Sequence, residues 1–335
     1  MIWFAWRQQR ATLLAAIGVI LVGLGYLLYY RFAMMGEVTS TDLWSRSLPD
    51  TVASTDGPEF RSVADSVWVH FWGQAQTART GMVVGAMVIG VCVGASMFAR
   101  EWEQQTYLVA LSQSVSRARW FVTKFAVAAA VVLGGVVLWE LAYAWWARSA
   151  GNWMLDQYLF RPFYFESQGL ALPAYALFAL ALGASGGLLI RRTVPAIVVA
   201  AAVVAGVFAG VSLYLRWHYL PPVMVTVPWH GPRSMDGEAH LMDVGYLSNT
   251  GQLIHMGLGK GELWNPCVSV ENVASVAASD SYYGCMTQRG LVGFGEMVQP
   301  ASRFWTFQVM EFGLFLVLSA AVLGVGMWWL RKRLR

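Results

Sequence analysis

Charge is what this sequence has least of. Asp, Glu, Lys and Arg make up 13% of its 335 residues, against about 25% in a soluble globular protein. Lysine stands only at Lys124, Lys260 and Lys332, and the preference for arginine suggests a GC-rich bacterial genome. With 57% hydrophobic residues and a mean hydropathy of +0.50, a cytosolic enzyme and a disordered regulator are excluded. The net charge of +4 is no nucleic-acid footprint, because no stretch concentrates basic residues among aromatics. Metal motifs are missing as well: His218, His230, His240 and His255 fit no ligand spacing, and His-Glu-x-x-His does not occur. What the chain has in quantity is long apolar runs.

Six of these runs reach the roughly 20 residues that a helix needs to cross a bilayer: 11–30, 80–99, 125–147, 169–190, 193–215 and 304–330. Only Glu140 in the third and Glu311 in the sixth interrupt them with charge. The first is longer than a signal-peptide core of about 7–15 residues and no small-residue cleavage site follows, so it reads as a retained anchor. Placing the N-terminus in the cytoplasm puts Arg7, Arg10, Arg100, Arg117, Arg119, Lys124, Arg191, Arg192, Arg331, Lys332, Arg333 and Arg335 on short inner segments, with only Glu101 and Glu103 as inner acids. The asymmetry of positive charge therefore predicts both termini inside, in a bacterial plasma membrane.

Cys267 and Cys285 share the last outer loop, where disulfides are permitted. A bridge between them is expected, two free thiols being the alternative, while Cys92 in the second span reads as an apolar filler. The loop, 216–303, is too long for a plain connector and is expected to be a small ordered domain. In the first outer loop, Asp56-Gly-Pro-Glu59 reads as a helix start, predicting a surface helix over 58–76. Taken together, these readings predict an all-α integral membrane protein of six transmembrane helices, with a disulfide-stapled outer domain between spans five and six.

The longest inner segment, Phe98 to Lys124, has no Pro or Gly. Trp102, Thr106, Val109 and Ala110 fall at helical spacing, and Glu101 and Glu103 are expected in the first turn, where a helix dipole favours acids. A break at 112–116 should precede the next helix. So the second span is expected to lead into a lateral helix at the membrane surface.

This segment resembles the first cytoplasmic loop of ATP-binding-cassette exporter permeases of the drug and antibiotic transport class. Arg100, Glu101, Glu103, Thr106, Leu111, Val115, Ser116, Arg117 and Lys124 follow that loop's order. It departs at Gln105, where those loops carry Gly, and at Ser114, where they carry Pro. The ending Gln-Ser-Val-Ser-Arg-x-Arg-Trp and the opening Trp3-x-x-Trp6-Arg7-Gln8 resemble actinomycete members.

The resemblance implies that ATP and magnesium are handled by a separate ATPase subunit, present in two copies beside a second permease copy, which leaves no cofactor and no catalytic site on this chain. The sequence agrees: the nearest imitation of a P-loop, Gly257-Leu-Gly259-Lys260-Gly261, lacks the first Gly at the required spacing and the Ser/Thr after the Lys. The family's docking surface maps onto Arg100, Glu101, Glu103, Gln104, Thr106 and Arg117, with a helix over 101–113 transmitting the motion. Its shared path maps onto Met82, Met87, Met97, Val204, Phe208 and Val211, and a hydrophobic or amphipathic cargo is expected. Glycine pairs four apart, Gly81/Gly85, Gly90/Gly94, Gly183/Gly187 and Gly206/Gly210, invite close helix packing. Glu140 and Glu311 leave two alternatives. One is a proton-coupled transporter using both; the other gives them a structural role, with Glu311 paired to a neighbour such as Arg303. A non-transporting scaffold or sensor is a third reading.

Overall fold

The computed structural model describes residues 2–40, 58–105, 116–149, 159–229, 239–255, 267 and 280–333. Two compact units emerge, one of residues 1–155, 162–219 and 305–335, the other of 156–161 and 220–304.

The first unit is helical: α1 (Ile2–Ser40), α2 (Pro58–Glu103), α3 (Arg117–Ser149), α4 (Ala171–Ile190), α5 (Thr193–Leu213) and α7 (Phe304–Arg333). All six are long and apolar enough to cross a membrane. Their outward side chains are apolar, among them Val22, Val194, Val198, Val309 and Val317, as a lipid-facing surface requires.

Helix α2 differs from the expectation at both ends. It begins at Pro58, whose missing N–H costs nothing in a first turn, but no separate surface helix follows. The 46 residues run on unbroken, about 69 Å at 1.5 Å per residue. At the other end it continues through Glu103, so Glu101 and Glu103 occupy its last turn rather than the first turn of a lateral helix. Residues 106–115, including Thr106 and most of the expected lateral helix, lie outside the described residues.

Helices α2 and α4 are the most buried, and glycine lets them approach closely. A Cβ added at Gly94 would stand 2.8 Å from the Ala184 nitrogen, and one at Gly183 would stand 2.6 Å from the Val91 oxygen. Two of the four expected pairs, Gly90/Gly94 and Gly183/Gly187, therefore meet each other across one interface. Gly81, Gly206 and Gly210 have nothing within 4 Å of an added Cβ and close no such contact here.

The second unit corrects the all-α expectation. Its strands β1 (Val223–Val227), β2 (His240–Ser248), β3 (Leu253–His255) and β4 (Leu291–Gln299) form an antiparallel sheet in the order β1-β4-β2-β3. β-Branched and aromatic residues favour strand there, and Gly251, at φ +78°, makes the tight turn between β2 and β3. Val227, Tyr246, Tyr282, Met286, Leu291 and Phe294 form a small core between the sheet and α6 (Asp280–Gln288). Trp229 stacks on Tyr283 with ring centroids 5.1 Å apart. Cys267 and Cys285 are disulfide-bonded, with Cα atoms 5.9 Å apart.

Candidate functional site

Two polar constellations occupy opposite ends of the helical unit. The first lies where α2 ends, α4 turns into α5, and α1 and α3 begin. Four residues of α2 hold the others. Arg100 reaches Thr12 of α1 at 3.5 Å. Glu101 is buried and forms an ion pair with Lys124 of α3, whose ammonium also lies 4.9 Å above the Trp120 ring. Trp102 receives the Arg191 guanidinium at 4.5 Å, and the same guanidinium lies 5.1 Å from the Trp329 ring of α7. Glu103 accepts the backbone N–H of Thr193 at 2.8 Å and its hydroxyl at 2.9 Å.

The Glu103 contact explains why an acid is tolerated at a helix C-terminus, where the dipole of α2 disfavours it. The carboxylate serves the N-terminus of α5 instead. Helix α5 has no side-chain cap of its own, since its N-cap residue is Arg192, so an acid from another helix satisfies orphan N–H groups there. Helix α2 then stops in a turn at Gln104 and Gln105, and Gln105 takes φ +55°. This is the left-handed conformation that glycine adopts freely, at the position where the resembled loops carry Gly.

Of the expected docking residues, Arg100, Glu103 and Gln104 are exposed. Glu101 is turned inward to Lys124, because a carboxylate at that depth needs a cation beside it. Arg117 opens α3, and its side chain is outside the described residues.

The second constellation centres on Arg216, just beyond α5 and fully buried. Its Nε and Nη2 donate to the two oxygens of Glu311 at 2.9 and 2.8 Å, and Nη1 donates to Glu166 at 2.7 Å. Tyr175 of α4 donates its hydroxyl to the same Glu311, and the guanidinium lies 4.0 Å from the Phe165 ring. Burial works against the charge of Arg216, but Glu166 and Glu311 outweigh it and raise the pKa above the ordinary value. One turn earlier on α7, Gln308 accepts the N–H groups of Leu170 and Ala171 at 3.1 and 2.9 Å and donates to the Phe165 carbonyl at 2.8 Å. Leu170 provides no side-chain cap for α4, so α7 supplies one.

Arg303, named as a neighbour for Glu311, is engaged elsewhere: it donates to the Pro221 carbonyl at 2.7 Å and to Gln299 at 2.8 Å. Glu140 stands apart on α3, half-buried, and its Oε1 has no hydrogen-bond partner among the described residues. Glu166, Tyr175, Arg216 and Gln308 escaped the sequence reading. Glu311 was the available signal, because an acid inside a bilayer demands a cation, but Arg216 was one of five arginines beside span ends on that side, with Arg31, Arg79, Arg148 and Arg303.

The six expected pathway residues are mostly interior. Met82 and Met97 are buried in one apolar cluster, with Met87 and Phe208 packed against it, and Val204 and Val211 lie on the buried side of α5. Met82 lines an apolar groove with Tyr26, Gly85 and Trp139, while Met97 lines a separate polar cavity.

Residues 17–216 match the model of the family described as ABC-2 membrane transporter related. The chain belongs to this family. The match takes in α2 through α5, both ends of the Glu101–Lys124 and Glu103–Thr193 ties, and Arg216 as its last residue. Membership makes the chain an ABC-2 type permease of the membrane and implies an ATPase partner. No curated protein and no solved structure matches the permease.

Proposed function

We propose that this permease is the membrane-spanning half of an ATP-driven exporter of the drug or antibiotic class, with both termini cytoplasmic. Two permease copies work with two ATPase subunits, which alone bind ATP and magnesium, and the permease itself has no catalytic site. The cargo is hydrophobic or amphipathic, in keeping with the apolar lining residues of α2 and α5. One observation carries this reading. The last turn of α2, leading into the segment where the ATPase docks, is bonded to α1, α3, α5 and the α4–α5 link.

A displacement of that turn by the closing ATPase subunits is thus felt at once by four other parts of the bundle. Arg100, Glu103, Gln104, Thr106 and Arg117 make the docking surface, and Glu101 passes the displacement inward to Lys124. Met82, Met87, Met97, Val204, Phe208 and Val211 open to the path only when α2 and α5 separate, the two-state behaviour that ligand-driven transport requires. Arg216 ties Glu311 to Glu166 and makes Glu311 a structural link rather than a proton carrier.

Charge reversal in Glu103→Lys removes both hydrogen bonds to Thr193 and sets a cation against the N-terminus of α5. Export of an amphipathic dye from cells carrying the complex should fall by about tenfold or more, the loss expected for a charged hydrogen bond. The ATPase subunit, still held by Arg100, Gln104, Thr106 and Arg117, should co-elute and hydrolyse ATP. Unchanged export would remove the coupling role of the α2 end.

A further inference from the structure

The end of the bundle that carries Arg191 also holds an apolar groove of about 360 Å³, formed where α5 and α7 part over α4. Its floor lies between positions 182 and 190 of α4, with Val199 and Val203 of α5 as one wall and Ala321 and Val325 of α7 as the other. Val199 is 51% exposed and Val325 54%, so the groove opens on the lipid-facing surface. Glycine keeps its floor low: an added Cβ at Gly186 would find only the Ala196 oxygen within 4 Å, at 3.8 Å. The floor rises about 12 Å along α4 at 1.5 Å per residue, most of the roughly 15 Å of hydrocarbon in one leaflet.

The lining decides what kind of group can lie there. Ser185 is its one polar side chain, and that hydroxyl is donated to the Val322 carbonyl at 3.0 Å. No side chain in the groove remains to hydrogen-bond a guest, so whatever fills it must be apolar along its length.

The headgroup end of the groove is cationic. Ala321, Val325, Trp328 and Lys332 follow one another at spacings of four and three, which sets them on one stripe of α7. The two that line the groove thus lead to the exposed Trp328, over whose ring the Lys332 ammonium lies at 5.0 Å. On the floor, Ile190 is followed directly by Arg191. The Arg191 guanidinium stacks on Trp102 and Trp329 and donates no hydrogen bond to any described residue. The acids described at this end are committed elsewhere, Glu101 to Lys124 and Glu103 to Thr193. Arg191 and Lys332 are both exposed, and no acid among the described residues is ion-paired with either. They stand at the level where basic and aromatic residues meet lipid headgroups.

A neutral apolar cargo would leave these cations without a counter-charge, and a soluble anion would leave the groove empty. We propose that the groove binds an anionic phospholipid, with one acyl chain between α5 and α7 and the phosphate between Arg191 and Lys332. The site does not rest on what the permease exports, and none of its residues belongs to the docking surface assigned to the ATPase subunit.

The test uses the full-length permease in nanodiscs of equal parts phosphatidylglycerol and phosphatidylcholine. Lipid retained after detergent extraction is counted by native mass spectrometry. About one phosphatidylglycerol per chain should remain, with phosphatidylcholine, whose choline cancels the attraction to cations, retained about tenfold less. Arg191→Gln combined with Lys332→Gln should lower phosphatidylglycerol retention by about tenfold or more, to the phosphatidylcholine level. Lys332→Gln alone spares the Arg191 stacking and should lower it about fivefold, should the double variant not fold. Ala321→Trp fills the groove from an exposed position and leaves the cations in place, so retention of both lipids should fall.

Equal retention of the two lipids by the parent, or phosphatidylglycerol retention untouched by the charge and groove variants, would overturn the proposal. So would disulfide dimers of Val203→Cys in oxidised native membranes, absent from the parent, since they would set a second copy of the chain over the groove.

Discussion

Arg216→Met is expected to leave almost no folded permease in the membrane. The substitution keeps an unbranched apolar stem but strips the only cation bonded to Glu311 and Glu166 among the described residues, both of which are fully buried. Removing one partner of a buried pair costs about 3–5 kcal/mol, because the charge left behind has neither water nor a counter-ion. Against a total stability of about 5–15 kcal/mol that is a large share. The loss falls on the join between α4, α5 and α7, since Tyr175 and Glu311 are held by the same guanidinium.

A companion variant separates charge from shape. Arg216→Met combined with Glu166→Gln and Glu311→Gln removes the stranded charges and should recover most of the folded yield, because an apolar or neutral replacement of a whole buried cluster is often tolerated. Arg216→Lys should recover little, as a single ammonium cannot reproduce the two-pronged contact with Glu311. Thermal unfolding of the detergent-solubilised protein and the monodisperse fraction on gel filtration read both outcomes. A wild-type unfolding temperature for Arg216→Met alone would show that the cluster does not hold the bundle together.

The second large effect is expected at the α2–α4 interface. Gly94→Leu should abolish assembly of the bundle, and Gly94→Ala should cost about 1–3 kcal/mol, the range for overpacking a close-packed interior. Backbone meets backbone here: an added Cβ at Gly94 stands 2.8 Å from the Ala184 nitrogen and 3.1 Å from the Gly183 carbonyl carbon. Neither atom can swing aside as a side chain would. The matched control is Gly206→Leu on α5, where an added Cβ meets nothing within 4 Å, and it should express and unfold like the parent. Equal tolerance at both positions would contradict the packing described for α2 and α4.

The spans were legible because hydropathy over 20 residues is a summed property that no single residue decides. The contacts between them were not. All four glycine pairs look alike along the chain, and only the fold shows that Gly90/Gly94 and Gly183/Gly187 face each other while Gly206 and Gly210 face open space. The acids show the same limit. Glu101 and Glu103 were singled out, yet helical spacing alone placed them at the start of a helix instead of the end of α2. Their partners, Lys124 and Thr193, are 23 and 90 residues away. Glu311 announced that a cation must be near, but Arg216 lies 95 residues away. In the last outer loop, length and the cysteine pair predicted an ordered domain but no strands, whereas paired register turns Leu291–Gln299 into the strand between β1 and β2.

An exporter of this kind requires a partner that hydrolyses ATP. Purification of the tagged permease from its native host in a mild detergent tests this directly. An ATPase subunit in about equal amount, with hydrolysis that survives Glu103→Lys, is the predicted result. A partner-free permease without ATPase activity would contradict it and shift attention to proton coupling through Glu140.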